Sequence, residues 1–323
     1  MKRAGYLMEK IADPDNLRLA YWKAQRGKSA KPEVLEYQQN LDQHLLHLRA
    51  ELLGGNVRVG NYHYFKVYDP KERQICAAAF SERVLHHALM NVCHDSFEKY
   101  QIYDSYASRT GKGTLAALQR AAFFHTKHTW FMKLDIRKYF DSIDHDVLKS
   151  LLSKRFKDYK LMSIFTAIID SYYTHPSKGL PIGNLTSQYF ANHYLAVADH
   201  FVKEALQVEG YTRYMDDMVL WSDDKVSLLR KGRELKGFLG SVLQIELKPI
   251  CLNQTLKGLP YLGYLLYPNF VGLNRNSRTR FKKKLELYEN NLNTETWTQK
   301  DYQRHVLPLV AFVGQSRRIF SKK

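Results

Sequence analysis

Over residues 1–53, apolar positions recur at intervals of three and four. "NLRLAYWKAQRGK" and "EVLEYQQNLDQHLLHLRAELL" therefore predict helices, and Gly54-Gly55 ends the second. The period then shortens to two. "VRVGNYHYFKVYDPKERQICAAA" predicts a hairpin that turns at Asp69-Pro70-Lys71. "SERVLHHALMNVCHDSFEKY" returns to helical spacing, with Ser81 as its expected cap. From about 126 to 265, strand-like and helix-like stretches alternate. "WFMKLDI" reads as a strand, "DHDVLKSLLSKRF" and "LMSIFTAIIDSYY" as helices, and "SQYFANHYLAVADHFVKEAL" as a longer helix. The helical "VSLLRKGRELKGFLGSVL" precedes "YLGYLLY", which reads as the last strand. This order predicts an α+β fold with helices covering one face of a sheet.

One polar interruption stands out. In "RYMDDMVLWS" (213–222), Asp216 and Asp217 sit between runs rich in β-branched and aromatic residues. A solvated hairpin turn is one reading, since Asp is a common turn residue. The apolar run Met218–Trp221 instead places the pair at the edge of a core, where two close carboxylates repel and a bound cation resolves the repulsion. A third carboxylate, Asp135, closes the apolar strand "WFMKLD". A buried carboxylate needs a positive partner. That partner is either a lysine or arginine nearby, Lys133 or Arg137, or a metal shared with the Asp-Asp pair. Oxygen donors without paired His or Cys select a hard ion such as Mg²⁺.

Charge narrows the partners. The 323 residues include 49 Lys+Arg against 32 Asp+Glu, a net +17 and a pI near 9.6. That excess points to a polyanion, most simply nucleic acid, with anionic membrane as the competitor. No apolar run approaches the roughly 20 residues needed to span a bilayer, and "MKRAGYLMEK" lacks the apolar stretch of a signal peptide. Residues 271–323 carry 12 Lys+Arg and 4 Asp+Glu, a net +8. About half of the excess therefore lies in the last sixth of the chain, either as a solvated helix face or as a backbone contact. Three widely spaced cysteines (Cys76, Cys93, Cys251) indicate neither a disulfide framework nor a zinc site, which fits a reducing cytoplasm.

Asp135 in "LDIRKYF" and Asp216-Asp217 in "YMDD" resemble motifs A and C of reverse transcriptases, and "GLPIGNLTSQYFAN" occupies the place of motif B. The Ile182-Gly183, three residues, Ser187-Gln188 form is similar to reverse transcriptases of diversity-generating retroelements. So are "YWKAQRGK", "DPKER", "RVLHHAL" and "DSYASRTGKGT". The resemblance covers roughly residues 17–270. It implies a right-hand polymerase: N-terminal helices and fingers over 1–125, a palm with an antiparallel sheet over 126–265 with fingers helices around 145–180, and a basic helical thumb over 266–323.

The resemblance also implies roles. Asp135, Asp216 and Asp217, with the Ile136 carbonyl, would hold two Mg²⁺ ions, with Mn²⁺ as a substitute, and Lys248 of "ELKPICLN" would protonate pyrophosphate. Phe140 stands at the sugar gate, with core packing as its alternative. Lys71, Arg73 and Arg109 are triphosphate candidates that are otherwise surface charges. Ile182, Gly183 and Gln188 would meet the incoming nucleotide; Ile182 replaces a Gln common in relatives, which predicts low fidelity. Tyr214, Met215 and the Leu262-Gly263 turn would meet the primer, and Arg278, Arg280, Lys282 and Lys283 the duplex backbone. The expected partners are template RNA, RNA/cDNA heteroduplex, dNTPs and a small basic oligomeric accessory variability protein, in a bacterial, archaeal or phage-encoded cytoplasmic setting without a membrane. The alternatives are a defence-associated, retron-like or intron-like reverse transcriptase and a catalytically weak RNA-binding scaffold of the same fold.

Overall fold

The computed structural model describes residues 3–68 and 72–319. Helices α1 (Met8–Ile11), α2 (Pro14–Gln25), α3 (Pro32–Gln39) and α4 (Leu41–Gly54) open the chain. The second predicted helix is thus two, broken at Asn40, whose φ −123° and ψ +37° leave the helical region. Gly55 caps α4 at φ +74°, the left-handed conformation that favours glycine there. The hairpin follows as β1 (Tyr62–Tyr68) and β2 (Glu72–Ala78), antiparallel with Tyr62 opposite Ala78. Its predicted turn, with Lys71, lies outside the described residues. Helix α5 (Phe80–Glu98) starts two residues earlier than a Ser81 cap predicts: Ala79 is the N-cap position, and Ser81 lies inside the first turn without capping it.

Then come α6 (Thr114–Lys127), β3 (Trp130–Asp135), α7 (Tyr139–Ser142), α8 (His145–Ser153), α9 (Tyr159–Asp170) and α10 (Leu185–His200), which runs into a π turn at Phe201–Ala205. Asp144 caps α8 by accepting from the amides of Asp146 and Val147. Strands β4 (Gly210–Tyr214) and β5 (Asp217–Ser222) precede α11 (Lys225–Val242) and β6 (Cys251–Gln254). β6 escaped the sequence reading because "CLNQ" has no apolar alternation. "YLGYLLY" is two strands, β7 (Leu259–Tyr261) and β8 (Tyr264–Tyr267), and β9 (Phe270–Leu273) follows it. Helices α12 (Arg275–Asn293) and α13 (Gln299–Arg318) end the described chain.

Two compact units result. One comprises the chain up to Ile102, Ile136–Asp199 and Lys236–Glu246; the other comprises Tyr103–Asp135, His200–Leu235 and the chain from Leu247. In the first, Phe97 sits among Phe156, Phe165 and Phe190 with ring centroids 5.2–6.4 Å apart. In the second, an antiparallel sheet runs in the order β4-β5-β3-β6, beside a smaller sheet β7-β8-β9.

Alternation along β3 explains its nearly continuous apolar run. Met132 faces α11, where Gly232 has no room for a Cβ against the Met132 sulfur. Phe131, Val219 and Trp221 point the other way and pack with Ala117, Leu118 and Ala121 of α6 and with Leu259 and Tyr264. Each such buried side chain contributes about 1.5–3 kcal/mol. Within this core Trp221 Nε1 donates to His125 Nδ1 at 3.2 Å, and His125 Nε2 lies 2.9 Å from the Thr255 carbonyl oxygen.

Candidate active site

Asp135 is the last residue of β3 and pairs directly with Asp217, the first of β5. Residues opposite each other in an antiparallel pair share a face, so both carboxylates lie on the face that carries Phe131 and Trp221. Met215 and Asp216 form the two-residue turn between β4 and β5, because Tyr214 pairs with Asp217. Both readings of the Asp-Asp pair therefore hold in part: Asp216 is a turn residue, and Asp217 opens a buried strand.

The turn is strained and strongly held. Met215 adopts φ +52°, a left-handed conformation that favours glycine. Arg213, fully buried, donates from Nη1 to the Met215 carbonyl at 3.1 Å and from Nη2 to Ser105 Oγ at 3.0 Å. Its own amide donates to Asp104, and its carbonyl accepts from Tyr106. Arg213 was not singled out from the sequence. The available signal was a lone cation inside the apolar strand "YTRYM".

Two lysines neutralise the site. Lys248 Nζ donates to both Asp135 carboxylate oxygens at 2.9 Å, and its amide donates to the Asp135 carbonyl at 2.8 Å. Lys133 Nζ lies 2.9 Å from Asp217 Oδ1 and donates to the Pro260 carbonyl at 3.0 Å. The cation beside Asp135 is thus Lys248, not Lys133 or Arg137. Arg137 Nε lies 3.6 Å from Glu246 instead. Burial, followed by repulsion from Asp135 and Asp217, pushes the Asp216 carboxyl above its ordinary value. Burial also raises Asp217, and Lys133 opposes that rise.

The donor set suits a hard divalent cation, being all oxygen. Among the described residues, however, no three carboxylate, imidazole or thiol groups converge as a ready-made cage. That fits an ion completed by substrate oxygens and water, as Mg²⁺ commonly is.

The other predicted residues fall into both units. In the unit of the aspartates, Tyr214 accepts from Thr114 Oγ1 at 3.3 Å, and Arg109 donates to the Ser105 carbonyl at 2.6 Å. Leu262 and Gly263, at φ +49° and +90°, form the tight turn between β7 and β8. Arg278, Lys282 and Lys283 are exposed on α12 and Arg280 is half-buried. In the other unit, the Ile182 carbonyl accepts from Cys76 of β2 at 2.8 Å. A Cβ on Gly183 would lie 2.8 Å from the Ile75 side chain. Phe140 is half-buried, and its carbonyl accepts from Leu180 at 2.8 Å. Ile136 is buried, Gln188 is half-buried on α10, and Arg73 is exposed on β2. Lys71 lies outside the described residues.

An antiparallel sheet with Asp135 and Asp217 paired at its strand ends and Asp216 in the adjoining turn is a palm-like arrangement of polymerase type. Residues 69–266, more than half of the chain, match the model of the family described as "Reverse transcriptase (RNA-dependent DNA polymerase)", and the chain belongs to that family. It is 23% identical over 270 residues to the group II intron-encoded protein LtrA of Lactococcus lactis, covering 77% of this chain and 45% of LtrA. An uncharacterised 91 kDa protein in the cob intron of Schizosaccharomyces pombe is 33% identical over 106 residues, covering 31% of this chain and 13% of that protein. The chain thus spans less than half the length of these curated relatives. Apo telomerase of Candida tropicalis, truncated from its C-terminal domain, shares the fold at TM-score 0.52 and 12% identity, over 67% of this chain and 55% of that one. Among the described residues no helix is long and apolar enough to cross a membrane.

Proposed function

We propose that the chain is an RNA-directed DNA polymerase that extends a primer 3′-hydroxyl with dNTPs on an RNA template. The observation that carries this reading is the direct pairing of Asp135 with Asp217 across β3 and β5, with Asp216 in the adjoining turn. Asp135 and Asp216, with the Ile136 carbonyl and a less direct Asp217, would hold two Mg²⁺ or Mn²⁺ ions. Such a pair activates the hydroxyl and neutralises the leaving pyrophosphate when bound. Lys248, which holds Asp135 here, would supply the proton to the leaving pyrophosphate. Phe140 excludes the ribose 2′-hydroxyl, and Arg109, Arg73 and Lys71 bind triphosphate. Ile182, Gly183 and Gln188 meet the nascent pair. Tyr214, Met215, Leu262 and Gly263 meet the primer, and Arg278, Arg280, Lys282 and Lys283 the duplex backbone. On this reading residues 1–125 serve as fingers, 126–265 as palm and 266–323 as thumb.

The finer reading is a diversity-generating retroelement, acting in the cytoplasm with a template RNA and a small basic accessory protein. It is supported by Ile182-Gly183 followed by Ser187-Gln188 in place of the commoner motif B. Ile182 lacks the hydrogen bond of a Gln, and losing one such contact costs about 1–3 kcal/mol of discrimination. A second reading, an intron-type reverse transcriptase, is favoured by the curated intron-encoded relatives. Primer extension on an RNA template with Mg²⁺, sequenced and run beside Asp216→Ala, tests both. Extension lost in the variant supports the polymerase. Errors concentrated opposite template adenines, reduced in Ile182→Gln, support the retroelement, and faithful copying supports the intron type. No extension, even with a long structured RNA and a small basic protein supplied, overturns the enzyme.

A further inference from the structure

The outer face of α6 carries an arranged set of rings and cations that the proposed polymerase site does not use. Its inner face, with Ala117, Leu118, Ala121 and Phe124, is buried in the core. On the outer face Arg120, Phe123 and Lys127 fall on one stripe, at spacings of three and four. Phe123 is 45% exposed, and Tyr103, in the segment that leads to the helix from eleven positions upstream, is 70% exposed. Every one of these rings has a cation set against it. Lys112 Nζ stands 3.5 Å from the Tyr103 centroid, Arg120 lies 5.1 Å from Phe123, and Lys127 lies 4.5 Å from Phe123.

Two of the three cations, Arg120 and Lys112, are held in place by hydrogen bonds. Asp104, buried beneath the surface, accepts from Arg120 Nε at 2.8 Å and from Tyr106 at 3.1 Å, which orients the guanidinium 4.4 Å over Phe124. Lys112 donates to the Tyr103 carbonyl at 3.0 Å. Lys112, Arg120 and Lys127 outnumber Asp104, so the patch is net positive. The cost of ordering these side chains is met by the fold rather than at binding.

We infer that this face binds unpaired RNA, with Tyr103 and Phe123 as stacking platforms and Lys112, Arg120 and Lys127 as phosphate contacts. Every base has a π face, so exposed rings flanked by fixed cations recognise single strands with little regard to sequence. A protein partner would favour a covered apolar surface, and here each exposed ring edge is bordered by a charge. The inference rests on the proposed use of an RNA template, and it gives that RNA a holding surface additional to the one at the carboxylates.

The test uses the full chain. Affinity is measured for an unstructured oligouridylate and for a blunt RNA duplex, beside primer extension on a short pre-annealed primer–template at saturating concentration. Tyr103→Ala with Phe123→Ala should weaken oligouridylate binding about 30-fold or more. Duplex affinity and extension should stay unchanged. Lys112→Gln with Lys127→Gln, which keeps both rings, should lower the salt slope of oligouridylate binding by about 1 per lysine. A 4-thiouridine oligonucleotide should crosslink within residues 103–127 of the unaltered chain. Unchanged oligouridylate affinity, an equal loss for duplex, or lost binding of a protein instead of RNA overturns the inference. If the unaltered chain binds oligouridylate through these residues yet extends no primer, the polymerase reading fails and this one stands.

Discussion

Lys133 Nζ bridges Asp217 Oδ1, 2.9 Å away, and the carbonyl oxygen of Pro260, 3.0 Å away, so one side chain of β3 ties the first residue of β5 to β7. The pair is about three-quarters buried, with side-chain exposures of 21% and 27%. Lys133→Met keeps the length of the side chain and removes its charge, which leaves Asp217 half-desolvated beside Asp135. Lys133 acts to lower the Asp217 pKa, so its loss raises that pKa further. The acidic limb of the pH–activity profile should therefore move to higher pH. Stability should fall by about 1–3 kcal/mol, below the cost of breaking a fully buried pair. Lys133→Arg should restore much of both. An unmoved acidic limb in the methionine variant would show that Asp217 does not control activity.

Lys248 occupies the charge-neutralising place at Asp135 that divalent cation would take. In Lys248→Met that competition vanishes, and the Mg²⁺ concentration for half-maximal extension should fall. The maximal rate should also fall, by about 100-fold or more if the ammonium is the general acid, since general acids contribute 10²–10⁴-fold. A metal titration reporting both quantities separates the roles. A lower Mg²⁺ requirement with an unchanged rate would leave Lys248 as a counterion alone.

Much of this arrangement was legible in the sequence because it is local. The runs "WFMKLD" and "MVLWS" read as buried strands, and the two aspartates paired at their ends each meet a lysine. The Gly55 cap was legible for the same reason, whereas the Leu262-Gly263 turn came from the family resemblance, since the local pattern reads "YLGYLLY" as one strand. Pairings between distant positions were not. Lys133 alternates onto the same face as Asp135, yet it reaches the residue across the strand pair, while Asp135 is served by Lys248, 113 positions away. Nor did local pattern expose β6, whose partner residues lie in β3. Ser81 was misassigned because α5 admits Phe80 ahead of the polar residue that would ordinarily cap it.

Arg213 is the residue on which the strained turn rests. It is fully buried, and its fork reaches both the Met215 carbonyl and Ser105. Arg213→Lys keeps one charge but has no planar fork to span the two acceptors. It should destabilise the fold by about 1–3 kcal/mol, the cost of a buried partner left unsatisfied. It should also reduce extension, because Asp216 adjoins the turn that Arg213 holds. Urea unfolding and single-turnover rates on the same preparation check both. Full stability with a reduced rate would assign Arg213 to the turn alone, and an unchanged rate would remove it from the site.

Acid should destabilise the fold through buried imidazoles, His125 in the second unit and His193 in the first. His125 accepts from Trp221 and contacts the Thr255 carbonyl, a network that needs the neutral ring with its proton on Nε2. Burial lowers its pKa from 6.5 to about 4, and burial likewise holds His193 at about 4. Between those values the unfolded chain binds protons that the native state refuses. The stabilisation is complete above pH 6.5 and is lost as pH falls towards 4, by about 1.4 kcal/mol per pH unit for each histidine. The raised Asp216 and Asp217 act in the opposite sense, their native forms retaining protons that the unfolded chain has lost. Urea midpoints followed by tryptophan fluorescence should therefore drop between pH 6.5 and 4.5, with an unchanged denaturant slope. In His125→Gln the drop should be shallower. A midpoint that held constant over that range would mean the histidines are charged in the native fold, and the Trp221 hydrogen bond would have to be redrawn.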